Sequence, residues 1–308
     1  MTLLLPLDFN VDPDPSSLPI PVDLFGCGGS LIAPDIVLSA AHCNDAWLTQ
    51  VLVGAYVDND ATQGAVYRNV AQRAEHPSFD SNTRQNDFLL LKLDQPVAIA
   101  ATPRLVLNSN SENPIVGEAL TVIGLGVISE NGPNPPGNIL RQVVVNAVAS
   151  TTCNAPSAFE GEVDPVTMIC ACKCSWGELF RQSSFTFKLQ SSNIVFPISL
   201  DHINNNREAA PGKDSCDGDS GGPLFQVVGN QHIQVGIVSW GDGCARPGLP
   251  GIYSRVSVAY DWIRSQACSM SNAYPSFCSL GGGYIPTNST CITGEISFEF
   301  DITTDPWG

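Results

Sequence analysis

From Leu24 onward the chain is divided into short apolar runs: SLIAPDIVLSAAHC, WLTQVLVGAYV, NDFLLLKL, ALTVIGLGV and ILRQVVVNAV. Turn-forming stretches such as NGPNPPGN separate them. Runs this short, rich in Val, Ile and Leu and closed off by Gly, Pro and Asn, read as strands in a β sandwich or a pair of barrels. The composition agrees: 27 Gly, 23 Pro and 14% charged residues among 308 describe a turn-rich, all-β globular protein. VSVAYDWIRSQAC, ending at Cys268, is the best helix candidate. No internal repeat marks a solenoid, and no apolar run is long enough to cross a bilayer.

Asp and Glu number 30 against 14 Lys and Arg, for a net charge of −16. Such a surface disfavours nucleic acid and anionic membranes as partners and attracts cationic peptides weakly, although solubility is the simpler reason for the charge. Eleven cysteines without a C-x-x-C zinc pattern, together with the sequon at Asn288, favour disulfides and an extracellular, secreted protein. The opening MTLLLPLDFNVDPDP has no basic segment and only a short apolar run, so it is not a signal peptide. The expectation is an export signal upstream of Met1.

The stretch KDSCDGDSGGP, Lys213 to Pro223, carries three aspartates and ends on a serine among glycines. Gly218-Asp219-Ser220-Gly221-Gly222 matches the G-x-S-x-G elbow of α/β-hydrolases, but that motif needs a strand-turn-helix context with its acid and histidine downstream. Here two β-like runs follow, and His232 lies inside one of them. The partners are upstream. His42 sits in SAAHC, with Cys27 and Cys43 on either side able to pair and fix its loop. Asp87 opens an apolar strand, where a carboxylate without a partner is costly to bury.

His, Asp and Ser in that order match one of the known triad orders. CGGSLI…VLSAAHC, NDFLLLKL, DSCDGDSGGP, VSWGDGC and PGIYSRVS together resemble the trypsin/chymotrypsin family of serine peptidases, over residues 24–171 and 209–268. The resemblance implies two packed six-stranded antiparallel β-barrels and a C-terminal helix around 258–267, with the first barrel lacking its N-terminal strand. It implies a catalytic triad of His42, Asp87 and Ser220 and an oxyanion hole built from the backbone N–H groups of Gly218 and Ser220. Asp214 falls on the floor of the primary specificity pocket, with Ser239, Trp240, Gly241 and Gly251 as its walls. That arrangement implies a serine endopeptidase cutting polypeptides after Arg or Lys, open to protein inhibitors. The implied disulfides are Cys27–Cys43, Cys153–Cys170 and Cys216–Cys244. Neither a cofactor nor a metal is implied: the calcium-loop acids of trypsins fall at Ala55 and Ala65. His76, His202 and His232 are read as structural, and Asp217, at the pocket rim, as a surface charge.

The chain also departs from the family. Asp219 would receive the new N-terminal ammonium released by zymogen cleavage, yet nothing before Cys27 resembles the family's Ile-Val-Gly-Gly terminus. A buried carboxylate without its partner costs several kcal/mol, which would leave the site disordered. A non-catalytic homologue that binds partners through the same surface is therefore the alternative. Forty-three residues separate Cys170 from Asp214, where the family has a short loop. Residues 172–208 are expected to be a translated, unspliced intron, because Cys172-Lys173-Cys174 can be encoded with a donor-like sequence; a genuine exosite insertion is the competing reading. Residues 1–23 read as an irregular Pro- and Asp-rich start, and 269–308 as a Cys-containing tail, the start of a truncated second module or a linker.

Overall fold

In the computed structural model, the described residues are 21–24, 26–57, 65–98, 105–130, 139–173, 214–229, 231–273 and 275–278. His202, Asn288 and nearly all of 172–208 lie outside them, as does most of the tail.

Thirteen strands among the described residues make up two closed barrels and one short addition. The first barrel joins β1 (Pro21–Asp23), β2 (Gly28–Ala33), β3 (Ile36–Ser39), β4 (Gln50–Val53), β5 (Val66–Glu75) and β6 (Leu89–Leu93) in the order β1-β2-β3-β6-β5-β4. Antiparallel pairing of Val22 with both Gly29 and Val53 closes it. The expectation of a first barrel without its opening strand is thus corrected. Three residues of a Pro-rich segment become a strand because two open edges are there to pair with, a tertiary cause that local composition does not carry.

The added strand is the short β7 (Leu105–Leu107). The second barrel uses β8 (Ala119–Gly124), β9 (Arg141–Val148), β10 (Met168–Cys172), β11 (Pro223–Val228), β12 (Gln231–Trp240) and β13 (Gly251–Arg255), closed by pairing of β11 with both β8 and β12. β7 pairs in parallel with the start of β12. A one-turn helix, α1 (Ser150–Cys153), precedes β10.

The long helix α2 (Val256–Met270) brackets the expected segment. Val256, Ala259, Ile263, Ala267 and Met270 recur every three or four residues and are buried, as one face of a helix requires. That face joins Ile36, Leu38, Ala40, Cys43, Phe88 and Leu90 of the first barrel and Ile237 of the second in a single cluster. The neighbours of His42 and Asp87 are therefore part of the core between the barrels. A buried hydrogen bond of 3.0 Å from Ser30 Oγ to Gln234 Oε1 also crosses that seam.

The disulfides Cys27–Cys43, Cys153–Cys170 and Cys216–Cys244 all form. A fourth, Cys268–Cys278, goes beyond the three that the resemblance implies. It folds the start of the tail back along α2. Arg264 Nε donates to Phe277 O at 2.9 Å, and Ser271 Oγ and Asn272 N–H donate to the buried Asp35 carboxylate at 2.5 and 2.8 Å. Ser271 and Asn272 thus tie the end of α2 to the first barrel.

Candidate active site

His42 sits on a single 3-10 turn, Ala41–Cys43, directly after β3, and the Cys27–Cys43 bridge anchors that turn. Asp87 lies two residues before β6, preceded by Asn86 in the left-handed region at φ +54°, which Asn tolerates better than most residues. The Asp87 carboxylate is fully buried. It accepts from His42 N–H at 2.9 Å, and His42 Nδ1 lies 2.7 Å from its other oxygen. Facing a carboxylate, Nδ1 is the protonated ring nitrogen, which leaves Nε2 as the acceptor.

Ser239 makes a contact that the resemblance does not specify. Its hydroxyl donates to Asp87 Oδ2 at 2.5 Å. The buried carboxylate is thus satisfied by three donors.

Ser220 lies on the turn before β11. Gly28 N–H donates to its carbonyl at 2.6 Å, Gly221 N–H donates to Val238 O at 2.8 Å, and the Cys43 sulfur lies 3.8 Å from Ser220 O. The serine loop is thus held beside the bridge that fixes His42. Gly218 has φ +92°, and a Cβ there would come within 3.0 Å of the Gly126 backbone, so glycine alone fits. The N–H groups of Gly218 and Ser220 donate to no acceptor among the described residues, leaving both open to a ligand oxygen.

Asp214 Oδ1 accepts from the Ser215 N–H at 2.8 Å and from the Tyr253 hydroxyl at 2.9 Å, while Oδ2 accepts from Gly251 N–H at 2.8 Å. Burial nevertheless pushes its carboxyl up to about 6, with those hydrogen bonds opposing. A Cβ on Gly251 would lie 2.8 Å from Asp214 Oδ1, so glycine at this position admits the carboxylate itself. Gly241 is exposed, and Trp240 packs edge-on against Phe159 with ring centroids 5.0 Å apart. Nothing in the sequence singles out Tyr253. An aromatic inside a β-run reads as core, and only the fold turns its hydroxyl to Asp214.

Asp219 accepts from Gly126 N–H at 2.8 Å and Cys216 N–H at 2.9 Å, and its carboxylate fills space that side chains on Gly124 or Gly126 would occupy. Burial pushes it up to about 6. Among the described residues no Lys, Arg or His donates to it. Asp217 is exposed, its carbonyl accepting from Val127 N–H at 2.9 Å.

Ala55 and Ala65 pack with Leu52 in an apolar cluster. Cys27, His42 and Cys43 lie close together, but both sulfurs are spent in the disulfide and offer no thiolate to a metal. His76 packs edge-on against Trp262, and His232 against Phe225.

A trypsin family model matches residues 16–178 and 172–263. The chain belongs to the trypsin family of serine proteases. This trypsin-family chain is 34% identical over 247 residues to hypodermin-B of Hypoderma lineatum, covering 79% of this chain and 78% of that protein. It is 30% identical over 241 residues to trypsin delta of Drosophila melanogaster, covering 78% of each. Serine protease 56 of Homo sapiens is 32% identical over 259 residues, 81% of this chain but only 36% of that longer protein. The family frame accounts for the two barrels and the helix that follows them.

Proposed function

We propose that this protein is a secreted serine endopeptidase that cleaves polypeptides after Arg or Lys, with residues 24–268 as its peptidase unit and 172–208 as an interruption of it. The observation that carries the reading is the fully buried Asp87 carboxylate, which accepts from both His42 and Ser239 beside the loop of Ser220.

In this reading Ser220 Oγ attacks the scissile carbonyl while His42 Nε2 takes its proton. The oxyanion that forms accepts from the N–H groups of Gly218 and Ser220, each worth about 3 kcal/mol of barrier. Collapse breaks the C–N bond, and the imidazolium gives its proton to the leaving amine. Water, deprotonated by His42, then hydrolyses the acyl-enzyme and regenerates Ser220. Asp87 keeps the imidazole in the required tautomer and stabilises its charged form. Asp214 supplies the preference. Its ionised form lacks a cation, and an Arg or Lys side chain relieves the cost of burying it.

The second reading is a non-catalytic homologue that binds polypeptides through the same surface. Asp219, buried without a cationic partner among the described residues, favours it. A fluorophosphonate probe separates the two. Labelling of the wild-type protein at Ser220, absent in Ser220→Ala, supports the enzyme; an unlabelled wild type supports the binding homologue.

A further inference from the structure

Three loops surround the serine, and they are tied pairwise. Residues 124–130 bind 214–220 through Gly126 N–H to Asp219 and Val127 N–H to Asp217 O. Residues 214–220 bind 240–246 through the Cys216–Cys244 disulfide. The third side is ionic. Arg246 presents its guanidinium fork to both carboxylate oxygens of Glu130, with Nε to Oε2 at 3.0 Å, and its Nη1 reaches Asp242 Oδ1 at 2.5 Å. Cys244 N–H reaches Glu130 Oε2 at 3.4 Å.

The tie is fitted to its place. Gly243, at φ +71°, lies beneath it, and a Cβ there would overlap the Arg246 Nε and come within 2.5 Å of Glu130 Oε2. An exposed ion pair adds little to stability in general. What its bidentate geometry adds is direction, and it joins elements 116 residues apart in the chain. Hydrogen bonds from Arg246 hold the Glu130 carboxyl below its ordinary range.

We propose that Arg246 is a positioning residue for the substrate-cation pocket: its fork to Glu130 holds loop 240–246, and with it the Gly241 wall, in register with the Asp214 floor. The proposal rests on the reading of Asp214 as the cation-binding group. It differs from a plain stability role because Arg246 takes no part in the strand pairing of either barrel or in the disulfide. Loss of the fork loosens only the pocket mouth.

The test is the affinity for benzamidine, a flat amidinium cation, measured calorimetrically on the full chain together with its melting temperature. Arg246→Gln and Glu130→Gln each weaken binding about threefold to fivefold, as expected for losing one good surface pair. The double variant is no weaker than the poorer single variant, Arg246→Lys falls between, and all melt together with wild type. Binding by Arg246→Gln equal to wild type, multiplicative effects in the double variant, or a melting temperature that falls in step with affinity each overturn the proposal. A wild type that binds no benzamidine overturns the reading of Asp214, and this proposal with it. Tight binding by wild type and Arg246→Gln alike overturns this proposal alone.

Discussion

The Ser239 hydroxyl lies 2.5 Å from the same Asp87 oxygen that faces His42 Nδ1 at 2.7 Å. Two donors on one buried oxygen fix the plane of the carboxylate, and the carboxylate fixes the plane of the imidazole. The orientation of the proposed general base thus depends on a residue from the second barrel, reaching across the seam to an acid of the first.

Ser239→Ala removes one of the three donors to a buried charge. A hydrogen bond to a charged group contributes about 1.5–3 kcal/mol, so kcat for an Arg amide substrate falls about tenfold or more with KM little changed. Initial rates at saturating substrate check it, and an unchanged kcat contradicts the positioning role.

Tyr253→Phe bears on pH. Binding a cation at Asp214 needs its ionised form, and the free carboxyl lies at about 6, so benzamidine affinity rises from pH 5 to pH 7 and then levels. Removing the Tyr253 hydroxyl withdraws a donor that favours the carboxylate. The midpoint then moves up by about one pH unit, by the same hydrogen-bond arithmetic. Titration calorimetry across that range reads it directly.

Asp219 gives a stability signature. Its carboxyl is raised from 3.8 to about 6 by burial, so the folded state favours the protonated form. That stabilisation is fully present below pH 3.8 and is lost as pH rises through 6. Relative to Asp219→Asn, the wild type loses up to about 3 kcal/mol between pH 4 and pH 8. Urea melts of the pair at a series of pH values check it. A pH-independent difference means that a cation does sit against Asp219.

Asp35→Ala tests the join between the end of α2 and the first barrel. It removes the acceptor of the buried Ser271 hydroxyl and of the N–H of the exposed Asn272. Each unsatisfied group costs about 1–3 kcal/mol, so the urea midpoint falls by an amount worth about 2–3 kcal/mol at unchanged slope. Asp35→Asn, which still offers one acceptor, loses less.

What is legible in the sequence is what is local. SAAHC, NDFLLLKL and DSCDGDSGGP are contiguous, and through them the resemblance to the family names His42, Asp87 and Ser220 as the expected triad. The periodic face of α2 is likewise local. Ser239 reads as a pocket wall because its neighbours Trp240 and Gly241 do. Which way its hydroxyl points depends on Asp87, 152 residues away. β1 is a strand only because β2 and β4 have edges to offer. Asp35, inside the run SLIAPDIVLSAAHC, acquires its role from residues 271 and 272. The Cys268–Cys278 bridge has one local signal, two cysteines ten apart at the end of a helix, whereas Cys27–Cys43, Cys153–Cys170 and Cys216–Cys244 follow from the family resemblance.

Hydrolysis after basic residues by Ser220 is tested most directly by mass-spectrometric mapping of cleavage sites in a denatured protein mixture. The expected result is new C-termini at Arg and Lys, lost in Ser220→Ala and shifted away from basic residues in Asp214→Ser. No cleavage by wild type, cleavage that persists in Ser220→Ala, or cleavage indifferent to Arg and Lys contradicts it.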